Sequence, residues 1–186
     1  MEKKTPSKYV RTVYKANKIF GTIESSLSMI ILWALIAVCV IFISCRFLFH
    51  VSTPWADESA RYLLIALAWF GGSYAASVGD HLEIDIISTI LKKAKNYDKI
   101  MRVLDYIGKF IVLVVMVFFS IQFFKYMLNI HKLGTWSITL PFSMVVPMSF
   151  VFIGCILIII HTIFQLLLPR ELRHGEELVI EEGGDK

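Results

Sequence analysis

The stretch that decides the fold runs from Trp55 to Asp85 and reads WADESARYLLIALAWFGGSYAASVGDHLEID. It opens with two acids and a base, Asp57, Glu58 and Arg61. An apolar run dotted with small residues follows from Tyr62 to Val78, and polar residues return at its end. A helix needs about 20 predominantly apolar residues to cross a bilayer. The stretch therefore predicts a membrane-crossing helix that carries polar groups at both ends.

The composition places most of the chain in a membrane. Of 186 residues, 56% are apolar, and the mean hydropathy is +0.67. The apolar residues form continuous runs and do not alternate as barrel strands do. Four runs qualify: Ser25–Cys45, Tyr62–Val78, Phe110–Phe124 and residues from about 141 to 168. The predicted fold class is an all-α integral membrane protein with four transmembrane helices in an up-down bundle.

Basic residues predict the orientation of this bundle. Fifteen of the nineteen Lys and Arg residues lie in the amino-terminal segment, in the connection between the second and third runs, or in the tail. Cytoplasmic loops carry an excess of Lys and Arg, so both termini and that connection are predicted to be cytoplasmic. The net charge of +4 then reflects residues near lipid headgroups. No basic-aromatic motif of a nucleic-acid-binding fold accompanies it.

Boundaries follow from these runs. We expect a basic arm or interfacial helix over residues 1–24, a membrane domain over 25–168 and a cytoplasmic tail over 169–186. The predicted spans are about 25–49, 57–79, 102–129 and 140–168, with a short surface helix at about 82–96. The arm is basic and apolar on different faces, which suits an anionic membrane surface. Its predicted headgroup contacts are Lys8, Arg11, Lys15 and Lys18. The alternative is a basic arm without regular structure.

Small residues and prolines give two further expectations about packing. In the second span Ala68, Gly72 and Ala76 repeat every four residues, which allows a close helix approach within this chain or with another. In the fourth span Pro141 and Pro147 predict a kink in the outer part of the helix, because proline removes a backbone donor.

Recognisable reaction chemistry does not appear in the sequence, and an enzyme is not expected. It has no nucleotide-binding loop, catalytic triad or metal-ligand spacing. The interiors of the predicted spans also lack acids, which disfavours an autonomous carrier of ions or solutes. One alternative is a haem-bearing electron-transfer subunit, in which His50 and His131 form one pair and His81 and His161 another. A Soret band from the purified protein would support that alternative.

Three motifs resemble the small membrane subunit, the Q or DctQ-like subunit, of tripartite ATP-independent periplasmic (TRAP) transporters. WADESARYLLIALAWFGG is similar to that family's segment at the start of span two, and SVGDHLEID to its Gly-x-His-x-x-x-Asp signature. LPFSMVVP resembles the paired prolines that open span four, although Met148 and Ser149 follow where a Gly is common. Chain length, span number and predicted topology match as well.

This resemblance implies a non-catalytic scaffold subunit without a cofactor. Its partners would be the large membrane (M) subunit, the periplasmic substrate-binding (P) protein and membrane lipids. The expected interface or scaffold residues are Trp55, Glu58, Arg61, Ala68, Trp69, Gly72 and Ala76. A cytoplasmic turn after span two is expected from Gly79, Asp80, His81 and Asp85. Such systems take up an organic acid, usually driven by sodium. C4-dicarboxylates and sialic acid both remain open as substrates.

Overall fold

The computed structural model describes residues 8–78 and 97–167, which form four helices and contain no strand. Helix α1 spans Lys8–Phe47, α2 spans Pro54–Val78, α3 spans Tyr97–Leu133 and α4 spans Val145–Leu167. The all-helical prediction is confirmed for these residues. The expected surface helix at about 82–96 and the tail at 169–186 lie outside them.

Three of these four helices are long and apolar enough to cross a membrane, counting only described residues: Thr12–Phe47 within α1, Val103–Leu133 within α3, and Val145–Leu167. Helix α2 is not among them. It carries charged residues in its first turns and glycines and serines further along. Helix α2 packs extensively against both α1 and α4 and buries Ser73 and Ser77 there, whereas the side chains of Arg61 and Asp57 are exposed. That α2 also spans the membrane stays a prediction.

The helices are arranged around a central pair. Helices α2 and α4 pack against each other, α1 packs along α2, and α3 packs along α4. Only a small contact joins α1 to α4. None of the residues in the most apolar stretches of α1 and α3 is buried, whereas α4 is partly buried. The two outer helices therefore present long apolar surfaces away from the central pair.

Helix α1 differs from the expected division at residue 24. It is one continuous helix of 40 residues, so it is about 60 Å long at 1.5 Å per residue. That is about twice the thickness of the hydrocarbon core of a bilayer. The basic arm with Lys8, Arg11, Lys15 and Lys18 thus continues the helix into the first predicted span and is not a separate element.

The start of α4 corrects the prediction of a kink. The helix begins at Val145, so Pro147 lies in its first turn, and Pro141 lies in the preceding loop. Backbone N–H groups of a first helical turn have no intrahelical partner, and a proline there removes no hydrogen bond. The prolines therefore mark where α4 begins, and neither lies in the interior of the described helix.

A glycine sets the contact between the central helices. A Cβ added to Gly154 of α4 would lie 2.7 Å from Cβ of Trp69 and 3.4 Å from its backbone carbonyl carbon. Trp69 also packs edge-on against Phe123 of α3, with 6.4 Å between ring centroids. The Trp69 side chain and backbone thus occupy the space that any larger residue at position 154 would need. The close approach of α2 and α4 depends on this glycine.

We expect Gly154→Ala to destabilise the bundle by about 1–3 kcal/mol, because the new methyl group must push two helices apart. Thermal unfolding in detergent measures this as a lower Tm. The matched control is Gly72→Ala in α2, where no described atom lies within 4 Å of an added Cβ. Helix propensity alone favours Ala over Gly by up to about 1 kcal/mol, so the control should be neutral or stabilising. Equal effects at both positions would contradict this packing.

Candidate functional site

The end of the bundle that carries the connections 48–53 and 134–144 is called the loop end here. Helix α3 terminates there at Gly134, whose φ of +61° places it in the left-handed region. Its N–H donates to the His131 carbonyl at 3.2 Å, and the Thr135 N–H donates to the Ile130 carbonyl at 3.3 Å. This paired pattern is a common way to end a helix with glycine.

The loop that follows folds back on itself. The Ser137 N–H donates to the Phe142 carbonyl at 3.0 Å, and the Met144 N–H donates to the Thr135 carbonyl at 3.1 Å. These bonds turn one face of the loop, residues 137–139, toward the start of α2. The loop therefore has backbone hydrogen bonds of its own, and its partner on α2 is a carboxylate.

The Glu58 carboxylate is that partner. Oε1 accepts hydrogen bonds from the hydroxyls of Tyr62 at 2.5 Å and Ser137 at 2.6 Å. Oε2 accepts from the Thr139 N–H at 2.9 Å and from the Thr139 hydroxyl. The Ile138 N–H approaches Oε1 at 3.4 Å. Hydrogen bonds to a carboxylate are stronger than neutral ones, so Glu58 fastens the loop to α2.

A spacing of three residues along a helix would place Arg61 beside Glu58, but its partner is a different acid. Its guanidinium pairs with Asp57 one turn earlier at 2.5 Å, and not with Glu58. The side chains of Arg61 and Asp57 are 73% and 46% exposed. Exposed pairs of this kind contribute about 0–1 kcal/mol to stability. Glu58 and Arg61 therefore belong to separate contacts at the loop end.

A second polar site lies toward the other end of the bundle, between α1, α2 and α4. We call it the polar network; its members are Asn17, Glu24, Ser73, Ser77, His161 and Gln165. The Ser73 hydroxyl donates to Glu24 Oε2 at 2.7 Å, and Glu24 Oε1 lies 2.8 Å from Nε2 of His161. The Gln165 amide donates to the Ala76 carbonyl. These contacts join three helices, and Gln165 Oε1 is buried there without a hydrogen-bond partner among the described residues.

The polar network is the feature that sequence reasoning missed. Glu24 was expected at the start of span one, yet it is only 3% exposed, and His161 is fully buried. The signal was present as periodicity, since Asn17, Gly21, Glu24 and Ser28 recur every three or four residues on one face of α1. Because Glu24 is an acid buried inside a helix, the predicted absence of such acids can no longer be used to argue against a carrier. What counts instead is that both Glu24 oxygens are bonded inside the bundle.

The network also bears on the haem alternative. Both ring nitrogens of His161 are engaged, Nε2 with Glu24 and Nδ1 with Asn17 at 2.7 Å. A haem iron needs a free imidazole nitrogen, and this residue offers none in the described bundle. His50 and His131 are exposed, and His81 lies outside the described residues. His161 is therefore unavailable as a haem ligand in the proposed pair of His81 and His161.

The remaining predicted site residues fall into three groups. Facing outward are Trp55, Ala68, Gly72, Lys15 and Lys18. Inside the bundle are Ala76, which is fully buried, and the partly buried Trp69. The cytoplasmic turn motif of Gly79, Asp80, His81 and Asp85 lies outside the described residues. The predicted small-residue stripe is thus divided, because Ala76 packs within the chain and Ala68 and Gly72 do not.

We expect Glu58→Ala to release the loop, since its donors would lose their shared acceptor. Hydrogen–deuterium exchange should speed up at the amide of Thr139, and the Tm should fall. Asp57→Ala is the matched control, because it removes an acid one residue away that contacts Arg61 and not the loop. Unchanged exchange at Thr139 in the Glu58 variant would refute this role for the carboxylate.

Comparison with known proteins agrees with the resemblance drawn from the motifs. A family model described as the DctQ component of tripartite ATP-independent periplasmic transporters matches residues 34–171. The matched range covers the last part of α1 from residue 34, all of α2 and α3, and α4 through its end. No curated protein matches the chain. Because the family model covers well over half of the sequence, the chain belongs to the DctQ family of TRAP transporter components.

Proposed function

We propose that the chain is the small permease subunit of a TRAP-type secondary transporter and serves as its non-catalytic scaffold. In this role it binds and stabilises the large elevator-type M subunit in a bacterial inner membrane. Uptake is coupled to sodium and depends on the periplasmic P protein. The substrate is an organic acid of the C4-dicarboxylate or sialic acid class. Membership of the DctQ family supports a tripartite assembly. The M subunit as partner, the coupling to sodium and the substrate class are part of this proposal.

One observation carries the proposal: the carboxylates of Glu24 and Glu58 are bonded within the chain, whereas large apolar surfaces are left uncovered. Glu24 and Glu58 both have their carboxylate oxygens bonded to neighbouring residues. A transport path needs polar groups that can exchange partners with an ion or substrate. The most apolar stretches of α1 and α3, in contrast, contain no buried residue. This distribution favours a bracing subunit.

The face of α2 formed by Arg61, Leu64, Ala68 and Gly72 is the proposed contact with the M subunit. All four residues are exposed, and their spacing of three or four places them on one side of the helix. No described atom lies within 4 Å of a Cβ added at Gly72. Small residues four apart let a second helix approach closely in lipid, where helix association depends on packing. Arg61 adds a charge at the loop end of this face.

We expect Gly72→Leu to weaken binding of the M subunit by roughly tenfold or more, corresponding to ~1.4 kcal/mol, because the side chain fills the space for an approaching helix. Co-purification with a tagged M subunit measures this. The variant chain alone should keep its Tm, since position 72 faces open space in this bundle.

Gly108→Leu is the matched control. It is the same change at a glycine of α3 that is also open, and it lies off the proposed face. Undiminished binding by Gly72→Leu, or equal losses for both variants, would contradict the proposed face.

A further inference from the structure

The ring of His161 is held between two oxygen atoms in the interior of the bundle. Nε2 lies 2.8 Å from Glu24 Oε1, and Nδ1 lies 2.7 Å from Asn17 Oδ1. The His161 residue is fully buried, and Glu24 is 3% exposed. A neutral imidazole has one N–H and one bare nitrogen, so which atoms carry protons here follows from what the neighbours can donate.

The orientation of Asn17 fixes the proton on one ring nitrogen. Its amide nitrogen donates to the Ser77 carbonyl at 2.8 Å. A carbonyl oxygen only accepts, so rotating the amide would bring two acceptors together at that contact. Oδ1 therefore faces His161 and accepts from it. Nδ1 of His161 must carry a proton.

The contact with Glu24 requires a second proton. Oε2 of Glu24 accepts from the Ser73 hydroxyl at 2.7 Å, and Oε1 faces Nε2 of His161. A carboxylate oxygen and a bare ring nitrogen are both acceptors, so a contact at 2.8 Å holds a proton between them. Whether this proton sits on oxygen or nitrogen, the pair contains two protons and has no net charge.

We propose that Glu24 and His161 form a buried proton-binding site, occupied in the folded chain, in which His161 is an imidazolium and Glu24 a carboxylate. A hydroxyl donor on the carboxylate and an amide acceptor on the ring favour the charged form of each group. Both charges are then hydrogen-bonded, the carboxylate by Ser73 and the imidazolium by Asn17. A buried ion pair whose remaining groups are satisfied avoids much of its desolvation cost.

The surroundings of the ring offer no other charge within the described contacts. Helix α1 contributes Glu24 and the neutral amide of Asn17, and α2 contributes Ser73 and the Ser77 carbonyl to the two α1 residues. On α4 itself, Phe164 lies edge-on to the ring with 6.4 Å between centroids. Loss of a proton would leave an uncompensated negative charge, and gain of one an uncompensated positive charge. Occupancy of the site is therefore coupled to the docking of α1 against α2 and α4.

The test is nitrogen NMR of the full chain in lipid nanodiscs at neutral pH, with ¹⁵N-labelled histidine rings. The His161 signals are assigned through bonds from its backbone. The expected result is two protonated ring nitrogens, the signature of an imidazolium. A bare nitrogen at His161 in the wild-type chain would overturn the proposal, and this measurement needs no variant to fold.

Glu24→Gln gives a second readout. The glutamine can accept from Ser73 and donate to Nε2, so it preserves the hydrogen bonds and removes the charge. His161 should then become neutral and show one bare nitrogen. Glu58→Gln, the same change at the loop end, should leave the His161 signals as they are. An imidazolium that persists in Glu24→Gln would also overturn the proposal.

Discussion

Helices in lipid gain little free energy from covering apolar surface, since lipid chains are as apolar as leucine. Polar contacts and close approach of the backbones therefore decide how the helices pack. In this protein the buried contact of Glu24 with His161 and Ser73 meets that constraint. It joins one residue from each of α1, α4 and α2. Their separations along the sequence, 49 and 137 residues, make it a contact that only the assembled bundle can form.

Close approach supplies the other part of the packing. At Gly21 an added Cβ would lie 2.6 Å from the Ser77 hydroxyl, and at Gly154 it would meet Trp69. These two glycines bring α1 and α4 against α2 on different sides. At the loop end, Glu58 performs a similar task for the connection between α3 and α4. The helix pair α2–α4 is thereby fixed at both ends, while α1 and α3 keep their outer surfaces available.

The sequence was sufficient for the existence of the four described helices and for the family, because apolar runs and the order of motifs are local features. It was insufficient for pairing between distant residues. Helical spacing would pair Glu58 with Arg61, whereas its partners Ser137 and Thr139 lie about 80 residues away in a loop whose shape no local pattern reveals. The sequence predicts a span boundary at Glu24, because a charged residue normally ends an apolar run.

The two remaining differences have local physical causes. The sequence predicts a kink at Pro147 because it predicts a helix that starts at residue 140. The loop instead extends to residue 144, so Pro147 lies in the first turn of the helix. The sequence predicts one surface from Ala68, Gly72 and Ala76, which are four residues apart. A helix has 3.6 residues per turn, so each step of four residues moves the side chain further around the helix. Ala76 has consequently turned into the bundle, and Ala68 and Gly72 stay outside.

The central claim is that this chain braces a transporter and does not itself move substrate. Uptake by proteoliposomes tests it most directly, with the P protein outside, a sodium gradient, and a panel of labelled C4-dicarboxylates and sialic acid. Uptake is expected only in vesicles that contain both this chain and the M subunit. Sodium-driven uptake by vesicles that contain this chain alone would contradict it.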